Sequence, residues 1–402
     1  MDVRITPRPL RGEVAAPPSK SHAQRVLLCA ALSDAPCEIF MGEPCADVTA
    51  MADALCTLGA HLSRTADGYA ARPMAGVRAG AVLDCGESGA VLRFLLPVAA
   101  AVARDTQLTG HGRLPARPIG PLADALRAHG CAVDCTVPIA RVAGGLRGGA
   151  YHLPGDVSSQ FTSGLLLALP LCAQDSTLTL TAPPVSRGYV RMTLEVLRTF
   201  GVSVAQQETI FEIPGGQRPR AAGAVAVEGD WSAAAFWLAA EHMGCGVSVS
   251  GLPEQTTQGD AAMPALLRAI GRGGACVDLR DVPDLAPALA VAACAVRGDT
   301  VFCGAERLHL KESDRASAIC ALLCALGGQA EAEGDILRVR GTGSLRGGTA
   351  DSAGDHRIAM AAAIASVLCR EPVIVRGADA VQKSYPRFWD DFTHLGGKLD
   401  VL

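Results

Sequence analysis

LCTLGAHLS (residues 55–63), LRAHGCAVD (126–134) and LRTFGVSVA (197–205) are one phrase written three times, and IGRGGACVD (270–278), LCALGGQAE (323–331) and FTHLGGKLDV (392–401) repeat it in the second half of the chain. In each, an apolar helical run stops at a glycine, the residue that most readily takes the left-handed conformation found where helices end. The residues after that glycine alternate as a half-buried strand does. The glycines are Gly59, Gly130, Gly201, Gly274, Gly327 and Gly396, separated by 71, 71, 73, 53 and 69 residues. Six similar units are implied, each long enough to hold a second helix. Those second helices are expected at Ala23–Leu32, Ala90–Val102, Phe161–Leu171, Ala233–Ala240, Leu285–Val296 and Ile358–Leu368. Six α/β units are too many for one core, so a grouping of three and three is expected, with a break near Val227–Glu228.

Composition narrows the function classes. The 402 residues carry 36 Lys and Arg against 40 Asp and Glu, a net charge of −4 that offers no general attraction to nucleic acid or to an anionic membrane. Any anion site must therefore be local. The longest apolar stretches, Phe94–Ala103, Leu165–Ala173 and Ile358–Cys369, fall short of the roughly 18–20 residues that span a bilayer. The opening MDVRITPRPL has no apolar signal core, so a cytosolic α/β protein is expected. The 15 cysteines are scattered without CxxC pairs, which suggests neither a disulfide framework nor a zinc site. Pairs such as Cys320 and Cys324 are expected to be small buried core residues.

The chemistry is concentrated where helices begin. PPSKSHAQR (17–25) leads into a helix and sets Lys20, Ser21 and Arg25 at its N-terminus; Ser21 and Arg25, four apart, share a face. Gly86-Glu87-Ser88-Gly89 is a tight turn into a helix with Arg93 one turn inside; Ser158-Ser159-Gln160 opens another. Lys311-Glu312-Ser313-Asp314-Arg315 and Asp355-His356-Arg357 open two more. A helix N-terminus is already positive, and cations there cost a few tenths to about 1 kcal/mol each. Five such starts on a repeated unit call for an anionic ligand that reverses the sign. Arg117 before Pro118, Lys383 before Tyr385-Pro386, and Ser186-Arg187-Gly188-Tyr189 extend the set. Lysine is scarce, with only Lys20, Lys311, Lys383 and Lys398 in the chain, which singles out the first three, whose compact ammonium groups can shift pKa as arginine does not. Asp284, just ahead of an apolar helix, is either an acid–base group perturbed by burial or an N-cap. Glu312 is either held ionised by neighbouring cations or part of the helix start. Metal-ligand spacing is absent from the sequence, and no metal or other cofactor is expected.

Read together, SKSHAQR, CGESGAVLR, LTGHGRLPARPIGPL, DVSSQFTSGLL, VSRGY, DVPDLAPAL, LHLKESDR, GDHRIAM and the late Lys383 resemble the 5-enolpyruvylshikimate-3-phosphate synthase family in order and spacing, over essentially the whole chain. The resemblance implies an α/β protein of two domains, each of three repeated βαβαββ units in a pseudo-threefold inverse α/β barrel, with the ligand cleft between the domains. The first domain would be residues 19–227 and the second 1–18 with 228–402, completed by the N-terminal strand. The implied reaction moves the enolpyruvyl group of phosphoenolpyruvate to the 5-hydroxyl of shikimate 3-phosphate by addition and elimination, releasing phosphate. Both substrates carry a phosphate and a carboxylate, which accounts for the number of cations. By resemblance, Lys20, Ser21, Arg25, Ser158, Ser159, Ser186, Asp284 and Lys311 are the shikimate 3-phosphate contacts. Lys20, Gly89, Arg117, Gln160, Arg315, Arg357 and Lys383 are those for phosphoenolpyruvate. Glu312 would give and retrieve the carbon-bound proton, Lys20 could share that role, and Asp284 would accept the proton of the attacking hydroxyl. The expected state is a monomer in the cytoplasm, with no nucleic-acid or membrane partner.

Glu87, Ala90 and Phe94 depart from the pattern of many members beside the phosphoenolpyruvate turn. The related UDP-N-acetylglucosamine enolpyruvyl transferase presents a reactive Cys five residues before the Arg matching Arg117; here that position is Gly112. A sensor that binds anionic metabolites without turnover would keep the cations and lose the carboxylates, whereas both Asp284 and Glu312 are present.

Overall fold

The computed structural model describes residues 1–103, 105–136, 138–221 and 223–402. The chain divides into two compact units, Lys20–Glu228 and the pair of segments Met1–Ser19 and Gly229–Leu402, each with its own apolar core.

Three helices form the centre of each unit. In Lys20–Glu228 they are Lys20–Ala31, Gly89–Val102 and Ser159–Ala168; in the other unit they are Trp231–His242, Ala286–Cys294 and His356–Ala365. Their composition explains the position, because a helix that is apolar on every side has no face to give to water. Every residue of Ala286–Cys294 and of His356–Ala365 is buried. Alanine-rich surfaces let these helices approach closely, and the three in the second unit all touch one another. The other helices are one-sided: Gly120–Ala128 buries Leu122, Ala123, Ala125 and Leu126 and turns Arg127 outward.

The sheets lie outside the helices and bury one face each. In Cys37–Phe40, Cys37 and Ile39 are buried while Glu38 and Phe40 are not, the period-two pattern of a half-covered strand. Five four-stranded sheets among the described residues share one plan: a parallel pair, then two antiparallel strands. Thus Ala81–Asp84 pairs in parallel with Asp105–Thr109, which pairs antiparallel with Ala140–Ala143, followed by Ala132–Asp134. Each helix–glycine–strand phrase stands at the end of an outer helix, and all six glycines have positive φ. At Gly59 a side chain has no room either, since a Cβ would sit 2.4 Å from the Gly76 carbonyl oxygen.

The six units are unequal in one respect. The sheet of Arg11–Ala15 and Gly246–Ser250 has two strands among the described residues, and the strand after Gly274, Cys276–Asp278, opens the next sheet by pairing with Gly298–Cys303. This unit lacks its closing hairpin, which is why Gly274 and Gly327 are 53 residues apart where the other spacings are near 70. The chain start is central to another sheet: Val3–Thr6 lies between Val373–Arg376 and Lys398–Val401.

The cysteines are all free thiols, but Cys324 is exposed and Cys320 half-buried, against the expectation of a buried pair. Helix Arg315–Ala325 buries Ala316, Ala318, Ile319, Leu322 and Leu323, and the two cysteines, four apart, share its outer side.

Candidate active site

The expected site residues lie at helix starts, of central and outer helices alike, and in the turns that carry Arg117 and Lys383. In unit Lys20–Glu228, helix Lys20–Ala31 begins at Lys20 itself, after Pro17-Pro18, and has no acidic residue in its first turn. Lys20 Nζ donates to Asp47 at 2.9 Å, with both side chains mostly buried. One turn on, Gln24 Nε2 donates to Ser88 Oγ at 3.1 Å, joining this helix start to the N-cap of helix Gly89–Val102. Ser158 caps the third helix by accepting from the Gln160 amide at 3.3 Å. Gln24 thus ties the first two helix starts together, and Arg93, on the second helix, reaches Gln160 at the start of the third.

Arginines set the geometry there. Arg93 Nη1 donates to Gln160 Oε1 at 2.6 Å and Nη2 to the Pro118 carbonyl at 2.8 Å, so one buried guanidinium fixes both Gln160 and the segment carrying Arg117. The Arg117 guanidinium lies over Gly89, where a Cβ would come within 2.7 Å of its Cζ. Arg25 is 2% exposed and donates to Thr193 Oγ1, the Ser21 carbonyl, Ser163 Oγ and the Tyr189 carbonyl, so it ties three helices together. Burial pulls its pKa down to about 10. Ser159 is buried, and Ser186, also buried, holds a left-handed backbone with φ 51° just before helix Arg187–Thr199. A non-glycine residue in that region marks local strain, which is concentrated at ligand sites.

The second unit is built on carboxylates. Asp284 stands in the turn Pro283–Leu285, and it does not cap the following helix. Its Oδ1 accepts from Lys311 Nζ at 3.2 Å and from Arg315 Nη1 at 2.7 Å, and lies 3.6 Å from Arg357 Nε. Arg315, wholly buried, donates to Glu312 Oε2 at 2.7 Å and to Asp355 Oδ2 at 3.0 Å. Burial works against its charge, but Asp355, Glu312 and Asp284 outweigh burial and hold its pKa above the ordinary arginine value. Asp355 also caps helix His356–Ala365 and accepts from Ser313 Oγ at 3.0 Å. Lys311 is pushed down to about 8, chiefly by burial, with Asp284 pulling the other way.

Arg357 gathers the three central helices of this unit. Its Nη1 donates to the Ser232 carbonyl and to the Asp284 carbonyl, both at 3.3 Å. Lys383 is 8% exposed at the end of the turn Ala378–Lys383. That segment is pinned by Trp389 Nε1, which donates to the Ala378 carbonyl at 2.9 Å, and by Tyr385, whose hydroxyl accepts from Trp237 Nε1 at 3.1 Å and donates to Asp391 at 2.7 Å.

Lys20, Ser21, Arg25, Gly89, Arg117, Ser158, Ser159, Gln160 and Ser186 belong to the first unit; Asp284, Lys311, Glu312, Arg315, Arg357 and Lys383 belong to the second. Asp47, the carboxylate that holds Lys20, was not singled out from the sequence; Asp355 and Arg93 were named at their helix starts, but not as the partner of Arg315 and the group that orients Gln160. A signal existed for these two: Arg93 lies four residues from Gly89, and Asp355 precedes a helix as caps do.

Comparison with known proteins identifies the family and the fold. A family profile described as EPSP synthase (3-phosphoshikimate 1-carboxyvinyltransferase) matches residues 5–276 and 271–392. A 3-phosphoshikimate 1-carboxyvinyltransferase of Clostridium kluyveri is 36% identical, covering 99% of this chain and 98% of that one. One of Aeropyrum pernix is 39% identical, covering 100% and 97%. Among solved structures, EPSP synthase from Acinetobacter baumannii shares the fold with a TM-score of 0.80 at 23% identity over 100% of both chains. The enolpyruvyl transferase NikO from Streptomyces tendae does so at 0.82 and 18%, over 99% and 98%. With the profile covering nearly the whole sequence and full-length relatives above 30% identity, the chain belongs to the EPSP synthase family, the 3-phosphoshikimate 1-carboxyvinyltransferases.

Proposed function

We propose that the two groups of helix starts are the substrate-binding and proton-handling machinery of enolpyruvyl transfer from phosphoenolpyruvate to shikimate 3-phosphate, the reaction of this family. The observation that carries the assignment is Asp284 Oδ1, which meets Lys311, Arg315 and Arg357 where two central helices begin. Asp284, Glu312 and Asp355 balance these three cations, so an anionic ligand is held by their N–H donors rather than by a net charge, and carboxyl groups stand beside it to move protons.

Shikimate 3-phosphate takes Lys20, Ser21, Arg25, Ser158, Ser159, Ser186, Asp284 and Lys311. Arg25, with most of its N–H groups committed to protein, acts chiefly by holding Ser21 and the third helix in place. Phosphoenolpyruvate takes Lys20, Gly89, Arg117, Gln160, Arg315, Arg357 and Lys383. Glu312 delivers a proton to the methylene carbon, the 5-hydroxyl oxygen bonds to C2, and Asp284 takes the hydroxyl proton. In the second stage the C2–O bond to phosphate breaks as Asp284 passes the hydroxyl proton to the departing phosphate, and Glu312 takes back a proton from the methyl carbon, so the enolpyruvyl ether and inorganic phosphate leave with both carboxyl groups restored. The cations stabilise the charge on the departing phosphate. Residues 19–227 and 1–18 with 228–402 serve as the two functional domains, and the enzyme works as a cytoplasmic monomer.

The sugar-nucleotide transferase reading meets a steric obstacle. At Gly112, φ is 60°, a left-handed backbone that a cysteine takes only with strain, and a Cβ there would also displace the Glu87 side chain. A phosphate-release assay decides: turnover is expected for phosphoenolpyruvate with shikimate 3-phosphate and not with UDP-N-acetylglucosamine. Release with the sugar nucleotide alone would reverse the assignment, and release with neither would make the protein a metabolite sensor.

A further inference from the structure

Behind Arg357 lies a carboxyl group that the reaction as assigned does not use. Asp260 stands on the short turn Gly259–Ala262, before helix Met263–Ile270, and is 4% exposed. Ser232 Oγ donates a hydrogen bond to Asp260 Oδ2, and the carbonyl of the same serine accepts from Arg357 Nη1 at 3.3 Å. Arg357 is therefore tied to acidic residues on two sides: directly to Asp284, beside Lys311 and Arg315, and through Ser232 to the sealed Asp260. A carboxyl group buried this deeply is costly unless it is hydrogen-bonded and electrostatically compensated.

We propose that Asp260 is a positioning residue for Arg357: through Ser232 it fixes the direction of the guanidinium, and its own charge sets how strongly that guanidinium attracts phosphoenolpyruvate. The inference rests on the assignment of Arg357 to phosphoenolpyruvate. The groups facing Asp260 come from each element around it: Asp230 and Ser232 at the start of helix Trp231–His242, Asp284 from the turn before helix Ala286–Cys294, and Arg357 from helix His356–Ala365. Burial, followed by Asp284, opposes its ionisation; Arg357 and the Ser232 hydroxyl favour it; the balance pushes its pKa up to about 7. Asp260 thus changes charge near neutral pH. A phosphate or carboxylate on Arg357 adds negative charge beside it and favours the protonated form, so the anion binds more tightly when Asp260 is neutral. KM for phosphoenolpyruvate should rise as pH rises through about 7 and level off above the higher pKa of the complex. A shift of about one pKa unit on binding makes that rise about tenfold.

The test measures KM for each substrate from about pH 6 to about pH 9, a window that brackets this titration, in the full-length wild type, Asp260→Asn and Ser232→Ala. Asparagine keeps an oxygen for the Ser232 hydroxyl and removes the charge. The ratio of wild-type to Asp260→Asn KM for phosphoenolpyruvate is expected to climb about tenfold across this range, with no matching step for shikimate 3-phosphate. Ser232→Ala, which deletes a bond favouring the ionised form, should move the step to higher pH, and it carries the test if Asp260→Asn does not fold. A flat ratio, an equal step for both substrates, or a loss of kcat that is uniform in pH would overturn the proposal. Arg357→Lys separates this from the underlying assignment. An unchanged phosphoenolpyruvate KM in that variant removes the assignment itself; a raised KM alongside a wild-type pH profile for Asp260→Asn removes only the role of Asp260.

Discussion

The two groups of helix starts hold their cations by different means. In Lys20–Glu228 the anchors are mainly neutral: Gln160 for Arg93, Thr193 and Ser163 for Arg25, and backbone carbonyls for both, with Asp47 supplying a carboxylate to Lys20. In the other unit the anchors are acids, with Asp284, Glu312 and Asp355 meeting Arg315 within 3.0 Å. Hydroxyls and amides suit recognition of a polyol phosphate, because they donate and accept without changing charge. A dense carboxylate–cation network suits proton movement, because small displacements redistribute its protons. Under the proposed roles, both halves of one repeated architecture bind substrate and the second also moves protons.

The largest effect should come from the acidic half. Glu312→Ala is expected to lower kcat by about 10²–10⁴-fold, measured by phosphate release, if this carboxyl carries the carbon-bound proton. An unchanged kcat would remove Glu312 from the mechanism and blur the contrast between the halves.

Stability sharpens the same contrast. Arg315→Met leaves Asp355 buried without its charge partner and should destabilise the protein by about 3–5 kcal/mol in denaturant unfolding. Gln160→Ala, which removes a neutral anchor on the other side, should cost about 1–3 kcal/mol by the same measurement. Equal losses would mean that the charged network is no more deeply built than the neutral one.

Lys20→Arg tests the neutral half by shape alone. The charge remains, but a flat fork replaces the compact ammonium seated 2.9 Å from Asp47. A displacement of the substrate by about 1 Å would lower kcat/KM on the order of 10²-fold. Near-normal activity would show that this half needs charge and not geometry.

The smallest effect is a titration. Burial holds Lys311 down at about 8 in the free enzyme, so its positive charge is lost as pH rises through that value. The kcat/KM for shikimate 3-phosphate should therefore fall with pH on that limb, by about tenfold per unit once past the pKa. Lys311→Arg, charged throughout, should lose that limb even if its activity is lower.

Much of the fold was legible because it is written in periodicity. The helix–glycine–strand phrase located six left-handed glycines, and apolar runs such as APALAVAAC located the central helices to within a few residues. The 53-residue spacing even recorded the missing hairpin, although only the strand pairing of Cys276–Asp278 shows what was lost. Polar residues whose meaning comes from burial were not legible. Asp260 reads as part of a solvated loop, TTQGDAAM, until the packing of distant helices encloses it. Cys320 and Cys324 show the same limit, since a spacing of four places both on one helix face without saying which face is covered. Asp284 looked equally like a cap or an acid, and the folded chain shows that it does not cap the helix and is paired with Lys311 and Arg315.

The central claim is that the positive helix starts and the cation-bearing turns beside them hold the two substrates. A crystal structure with shikimate 3-phosphate and phosphoenolpyruvate bound tests it most directly. The account predicts phosphate and carboxylate oxygens within hydrogen-bonding distance of Lys20, Ser158, Ser159 and Lys311 for the first ligand, and of Arg117, Arg357 and Lys383 for the second. Ligands seated elsewhere, with these side chains still engaged only by protein, would contradict it.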